Sequence, residues 1–257
     1  MRRLLLPLLA AVLFLPLPGR AEPLRAVYGV QAAGMQVMRV EVMFDLDSPR
    51  HYRIESAVHL TGLARWFSAG RQVNRVEGLW REHRAQPVRF VGDGVWRGKP
   101  RQVVLEYPDG QATLRHLVPA EDPEREPVPP ALWRGTVDAL TPVAQMARNL
   151  ARTGRCEAEA TVFDGRRRAE FTARTLGRDR LAPWREAWSG EAVRCGFTGR
   201  QTAGFRHDDE RDLREPQEAI AWMASPRPGA PVLPVRVEMP GRWLGPLTAY
   251  LLELGPA

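Results

Sequence analysis

The sequence predicts a mainly β fold: an antiparallel curved sheet, a half-barrel or barrel-like meander, with one central amphipathic helix. Apolar and polar residues alternate with a period of two along residues 38–60, which is typical of a half-buried antiparallel hairpin. Asp-Gly dipeptides, which favour hairpin turns, recur between strand-like segments. Strands do not alternate with helices, which favours a meander, barrel or half-barrel over a parallel sheet.

The helix is predicted from residues 137–156. Thr141 is a suitable N-cap, Pro142 fits the first turn and Gly154 lies where a C-cap glycine is expected. One apolar stripe at helical spacing consists of Val143, Met146, Ala147 and Leu150. We expect this helix to cover the curved sheet.

The first 21 residues resemble a cleavable signal peptide. Arg2 and Arg3 precede an apolar run over residues 4–17, and Gly19 and Ala21 are small residues suited to cleavage before Glu22. The alternative, an uncleaved membrane anchor, requires a longer apolar run without proline breaks. No cysteine lies near the cut, which argues against a lipoprotein. The expected location is the periplasm.

The charge of the mature chain is modest. The formal charge of +7 includes Arg2, Arg3 and Arg20, and without them it is +4. Arginines alternate with acids in segments such as 211–215, so the sequence argues against nucleic-acid binding. The length of residues 22–257 fits a single β-rich domain, or two lobes joined near 118–135.

Strand signals continue along the whole mature chain. Further strands are predicted at 26–30, 103–107, 169–175, 232–238 and 247–254, with turns at 47–49, 93–94, 109–110 and 164–165. Residues 118–130 combine prolines with acids, and we interpret them as an exposed linker leading into the helix.

Two cysteines are present, Cys156 and Cys195. In an oxidising compartment they are predicted to form a disulfide. The alternative is a redox-active or metal-binding pair, which the lack of a CxxC spacing and of adjacent histidines disfavours.

Several segments together resemble the exported bacterial family of domain of unknown function 3108. They are Tyr28-Gly29 with Gly34, the Tyr52-x-Ile54 strand running into Thr61-Gly62-Leu63, the start of the helix at 138–142, and two apolar C-terminal strands. The resemblance covers residues 25–252, apart from the proline-rich stretch at 118–130. It implies an envelope location and a β-rich fold, and it brings no reaction and no catalytic residue.

No catalytic, cofactor-binding or metal site is predicted. Nucleophile elbows, zinc-binding HExxH and phosphate-binding loops do not occur. His51 and His59 are too far apart along one strand to share a metal. Asp45 and Asp47 lie in a predicted turn, where aspartate is common for local reasons. Residues 207–210 are interpreted as a solvated loop.

The aromatic residues suggest binding instead. Eight tryptophans are spread along the chain and fit either a broad sheet core or the lining of a ligand site. Arg65, Trp66 and Phe67 are predicted to form a rim that touches lipid or a partner. The favoured hypothesis is a non-catalytic protein that binds a hydrophobic envelope component within the curved sheet. The alternatives are an envelope assembly protein with a filled core and, more weakly, a hydrolase of an envelope polymer.

Overall fold

The structure is a computed structural model that describes residues 22–62, 71–96, 98–208, 214–241 and 245–257, without the side chain of Trp96. Thirteen antiparallel strands form one curved sheet that is not closed, which confirms the predicted fold class. The strands are β1 (Leu24–Ala32), β2 (Met35–Asp45), β3 (His51–Leu60), β4 (Arg71–Arg81), β5 (Arg84–Trp96), β6 (Lys99–Glu106), β7 (Thr113–Val118), β8 (Ala158–Phe163), β9 (Arg168–Leu181), β10 (Gly190–Ala203), β11 (Gln217–Ala224), β12 (Leu233–Met239) and β13 (Leu247–Pro256), and the helix is α1 (Thr141–Thr153).

The order of strands places the helix between the two edges of the sheet. Strands β1 to β7 follow one another in one direction, and β13 to β8 follow in reverse order on the other side of β1. The edge strands are therefore β7 and β8, and residues 119–157, which include α1, connect them. We call the side of the sheet that carries α1 the concave face.

The two ends of the sheet differ. Gln145 of α1 accepts a hydrogen bond from the backbone of Ala85 and donates one to the carbonyl of His83 in the β4–β5 turn. This end, which also carries the β2–β3 and β6–β7 turns, is called the helix end. The opposite end, called the far end, carries the connections β1–β2, β3–β4, β5–β6, β8–β9, β10–β11 and β12–β13.

Side chains join the two edges of the sheet at the far end. Arg166, in the β8–β9 turn, donates hydrogen bonds to the carbonyls of Val118 (2.6 Å) and Pro119 (3.0 Å) at the end of β7. Arg166 and Arg101 both pair with Asp122. Burial alone would raise the pKa of Asp122, but the hydrogen bond from Arg101 and the two positive charges outweigh it, so that the pKa is lowered.

The prediction that residues 118–130 form an exposed linker is partly wrong. Most of this stretch is at the surface, but Val128 is buried in the main core and Asp122 is held in its ion pairs. The prolines prevent regular structure, and anchoring at these two residues holds the segment against the sheet.

Three of the predicted turns are confirmed, at 47–49, 109–110 and 164–165, because each lies between paired strands. The turn predicted at Asp93-Gly94 is wrong, since both residues lie within β5. A side chain at Gly94 would collide with Gln72 of the neighbouring strand, so glycine is needed there for close packing. The actual β4–β5 turn uses Glu82 and His83 at positive φ, which the sequence does not signal.

The helix begins differently from the prediction. Thr141 is the first helical residue, and the capping acceptor is Asp138, whose carboxylate binds the N–H groups of Leu140 (2.8 Å) and Thr141 (3.0 Å) and the hydroxyl of Thr141. The C-terminus agrees with the prediction, because Gly154 adopts φ 70° and donates its N–H to Leu150.

The helix packs on the sheet through its predicted apolar stripe. Met146 and Leu150 contact a cluster that includes Ala221 and Met223, and Ala147 belongs to the main core. The disulfide between Cys156 and Cys195 is present, with a Cα–Cα distance of 5.9 Å, and it joins the chain just after α1 to β10. For a loop of this length the chain-entropy model gives roughly 3–4 kcal/mol of stabilisation.

Candidate ligand-binding site

The register of the strands identifies the residues that line the concave face. Residues paired across antiparallel strands project from the same face. Tyr28, which belongs to the core beneath α1, pairs with Leu251 on one side and with Val40 on the other, and Val40 pairs with Val58. Val40 and Val58 therefore face the concave side towards the far end, where they are only half-buried.

An aromatic pair lies on the opposite wall. Cys195 packs beneath α1, and the alternation along β10 places Phe197 and Gly199 on the same face, farther from the helix. The rings of Phe197 and Phe171 stack with their centroids 5.7 Å apart, and both side chains are half-buried. A Cβ atom at Gly199 would meet no heavy atom within 4 Å. The concave face has unfilled space at Gly199.

Strands β4 to β6 supply a polar wall. Val58 pairs with Gln72, Gln72 with Gly94, and Gly94 with Arg101, so these residues share the concave face. Gln72 donates a hydrogen bond to Asn74 (3.0 Å). The Nε atom of Arg101 is buried and makes no hydrogen bond to the described residues. The far half of the concave face, by which we mean this region between Val40, Phe197 and Arg101, is thus apolar on one wall and polar on the other.

The helix half of the concave face is filled. Asp138 is fully buried, and the hydroxyl of Thr141 links it to the phenol of Tyr52 (2.9 Å). Burial raises the pKa of Asp138, although its hydrogen bonds act in the opposite direction. Burial also raises the pKa values of Tyr52 and Tyr107. All three groups lie in a packed core. The hydrogen bonds of Asp138 explain why the helix starts at Thr141.

The outer face carries a stack of alternating cations and rings. Trp184 stacks on Tyr250 with centroids 4.4 Å apart, Arg185 covers Trp184, and Arg236 lies between Tyr250 and Trp222. The stack fastens the β9–β10 connection to the sheet beside a cavity of 260 Å³. A shallower groove of 320 Å³ lies over β9 to β12, and Leu176 (38% exposed) is among its apolar residues.

A serine, a histidine and an aspartate lie near one another in the β2–β3 turn, in the order found in catalytic triads. Ser48 Oγ lies 2.8 Å from His51 Nδ1, while His51 Nε2 is 3.8 Å from Asp45, too far for a hydrogen bond. Ser48 Oγ also accepts the N–H groups of Arg50 and His51, as expected of a turn serine. Burial, followed by the charge of Asp45, raises the pKa of Asp47. We interpret these contacts as turn geometry.

Among the described residues, no group of three or more His, Cys, Asp or Glu side chains is placed to hold a metal ion. Within the same residues, no helix has the length and apolarity required to cross a bilayer.

The predicted rim, Arg65, Trp66 and Phe67, lies outside the described residues. Of the tryptophans that are described, Trp80 belongs to the core, and Trp222 is buried at the base of the outer-face stack. Sequence reasoning missed Gln72, Arg101 and Gly199. Only their positions in the strands could have identified them. Each lies on the face that the alternation predicts to be buried, where a polar side chain or a glycine is unexpected.

The comparisons with known proteins agree with this architecture. The family model described as protein of unknown function (DUF3108) matches residues 25–251. This chain belongs to the DUF3108 family. No curated protein matches the chain.

A crystal structure of a β-barrel-like protein of domain of unknown function DUF1849 from Brucella abortus is similar, with a TM-score of 0.53 and 13% identity over 93% of this chain and 99% of that one. The likeness concerns the fold alone. Two others align with lower TM-scores. A candidate lipoprotein from Parabacteroides distasonis has a TM-score of 0.35 and 12% identity over 92% of this chain and 96% of that one. A candidate exported protein with a YmcC-like fold from Bacteroides fragilis has a TM-score of 0.34 and 9% identity over 92% and 97%.

Proposed function

We propose that this DUF3108 protein is an exported, non-catalytic binding protein that holds a hydrophobic component of the bacterial envelope in the far half of its concave face. We further propose that residues 1–21 are a signal peptide, that cleavage after Ala21 releases residues 22–257 into the periplasm as one domain, and that Arg65, Trp66 and Phe67 belong to the rim of the site.

The observation that carries this proposal is the half-buried apolar lining of the concave face, on the same side of the sheet as α1 but at the far end. Val40, Val58, Phe171 and Phe197 face inward yet retain contact with solvent, and Gly199 leaves space beside them. Covering such apolar surface is favourable by about 25 cal/mol for each Å² removed from water. An acyl chain or a similar apolar group would cover it.

The polar wall narrows the ligand class to amphiphiles. The buried Nε atom of Arg101 offers a donor, and the Gln72 and Asn74 amides lie on the neighbouring strand. A buried donor that lacks an acceptor is costly, so an ester, carboxylate or phosphate oxygen beside Arg101 would be favoured. A molecule with an apolar chain and a small polar head fits both walls.

The proposal is tested by titrating the mature protein with a fluorescent fatty acid and displacing the probe with phospholipid. We expect saturable binding with about one probe per chain, as for a preformed apolar site, and displacement by the unlabelled lipid. Binding that does not saturate, or that an unfolded control reproduces, would refute the proposal.

A second candidate function, envelope assembly through a protein partner, is favoured by the groove on the outer face. Leu176 and Met239 remain exposed there (38% and 37%) beside Glu218 and Glu238. Substitution of Leu176 should abolish binding of a partner that docks on this groove. Substitutions on the concave face should leave that binding unchanged.

A further inference from the structure

Two arginines share one aspartate where the edges of the sheet meet at the far end. Arg101 donates a hydrogen bond to Asp122, and the guanidinium of Arg166 lies 3.5 Å from the same carboxylate oxygen. The side chains of Arg101, Arg166 and Asp122 are only 18%, 16% and 11% exposed. Two positive charges are therefore largely removed from water with one negative charge between them, and buried charge without compensation is costly.

A third guanidinium adds to the positive charge. Arg125 lies close enough for its charge to act on Arg166. Burial lowers the pKa of Arg166, and the positive charge of Arg101 lowers it further. Asp122 and Asp164 act in the opposite direction without reversing the shift. The arginine cluster, by which we mean Arg101, Arg125 and Arg166, is thus short of negative charge.

The other described acids of the flanking segments 119–126, 164–167 and 204–208 are either paired with other arginines or exposed. The paired acids are Asp164 with Arg167, and Glu124 and Asp208 with Arg206. The exposed acids are Glu121 and Glu126. Water and salt screen exposed charges, so these acids do little to neutralise the arginine cluster.

The arginine cluster adjoins the apolar lining of the concave face. Arg101 faces the concave side of β6, and the alternation along the strand places Val103 on the same face. A Cβ atom at Gly165 would lie 2.4 Å from Val103, so the β8–β9 turn packs directly over β6. The chain continues from Arg166 in this turn into β9, which carries Phe171. A ligand beside Phe171 can therefore reach the arginine cluster with its head.

Arg101 has a donor left for a ligand. Its Nε atom is buried and makes no hydrogen bond to the described residues. A guanidinium binds an anionic oxygen about twice as strongly as a neutral one, and its planar fork matches carboxylate and phosphate groups. An anionic oxygen would accept this hydrogen bond and also neutralise the cluster, whereas a neutral ester would only accept the hydrogen bond.

We propose that the arginine cluster binds the anionic head, a carboxylate or a phosphate, of the amphiphile held in the far half of the concave face. Arg101 and Arg166 contact the anionic oxygens, and the acyl chain extends from them along Phe171 and Phe197. This inference rests on the proposed function and deepens it, because it assigns a negative charge to the head of the ligand and disfavours neutral and cationic amphiphiles.

Two fluorescent probes with the same acyl chain, a fatty acid and its methyl ester, test the charge of the head. At about pH 8 the acid is ionised, and we expect the mature protein to bind both probes saturably but the acid about tenfold more tightly. Arg101→Gln should weaken binding of the acid about tenfold and leave binding of the ester unchanged. Arg166→Gln, on the other edge, should act in the same way. Retained binding of the ester shows that each variant is folded.

The matched control is Arg75→Gln. This substitution also breaks an arginine–carboxylate pair, with Glu55 (2.6 Å), but on the outer face of the sheet. The control should bind both probes like the unmodified protein. Equal affinities of the unmodified protein for acid and ester, or an equal loss of acid binding in the control, would overturn the inference.

Competition distinguishes the sources of the anion. Dodecyl phosphate should displace the fluorescent fatty acid, and inorganic phosphate at the same concentration should not. Displacement by inorganic phosphate would assign the arginine cluster to a free anion and overturn the inference. If acid and ester bind saturably with equal affinity, the proposed function stands and the anionic head is wrong. If neither probe binds saturably, the proposed function fails and this inference fails with it.

Discussion

Gly199→Phe should weaken fatty-acid binding by about tenfold or more. The position faces the concave side of β10, has ordinary strand backbone and has no heavy atom within 4 Å of an added Cβ. A phenylalanine there pairs across the strands with Phe171 and occupies the space assigned to the ligand. Overpacking of this kind costs about 1–3 kcal/mol, which corresponds to roughly five- to 150-fold in Kd. The measurement is the fluorescent fatty-acid titration.

The matched control for this substitution is Gly255→Phe. Gly255 also lies in a strand, also has no heavy atom within 4 Å of an added Cβ, and is at the helix end. Both variants should unfold at a similar denaturant concentration. Equal affinity of the two variants for the fatty acid would place the ligand elsewhere than the far half of the concave face.

Substitution of Asp138 should have the largest effect on stability. Asp138→Ala removes the acceptor for two backbone N–H groups and for the hydroxyl of Thr141, all at the start of α1. Loss of a cap costs about 1 kcal/mol, and unpaired buried donors add about 1–3 kcal/mol. We expect a total of about 2–3 kcal/mol in the free energy of unfolding, measured by urea denaturation, because removing a buried charge offsets part of the loss.

Asp138→Asn should change how stability depends on pH. Burial raises the pKa of Asp138 in the folded protein, so the folded chain binds a proton that the unfolded chain has released. The contribution of this group to stability is complete below the unfolded-state pKa of about 4 and is lost as the pH rises through the raised folded-state pKa. The asparagine variant should lack this decline.

The control for the pH dependence is Asp93→Asn, at an exposed position on β5. It should retain the decline in stability that the unmodified protein shows above pH ~4. An Asp138→Asn variant with the same pH dependence as the unmodified protein would mean that Asp138 titrates alike in the folded and unfolded states.

Much of the fold follows from local pattern. The alternation along residues 38–60 predicts β2 and β3, and the apolar stripe predicts α1, because each pattern reports which face of one element is buried. The cap at Asp138 and the role of Gly94 were not predictable in the same way. The cap depends on a carboxylate three residues before the expected helix start. The need for glycine at position 94 depends on Gln72 of the neighbouring strand.

The candidate site depends almost wholly on tertiary structure. Phe171 and Gln72 are unremarkable in sequence, and only the order of thirteen strands places them on one concave face. Gly199 gives no turn signal, since its backbone is that of an ordinary strand.

Native mass spectrometry of the mature protein, purified from a bacterial periplasm without detergent, is the most direct test of ligand binding in the concave face. Organic extraction of the same sample identifies any bound molecule. We expect an added mass at near-stoichiometric amount, matching an amphiphile with at least one acyl chain, and its loss in Gly199→Phe. A bare chain mass that stays unchanged after incubation with envelope lipids would contradict the proposed function.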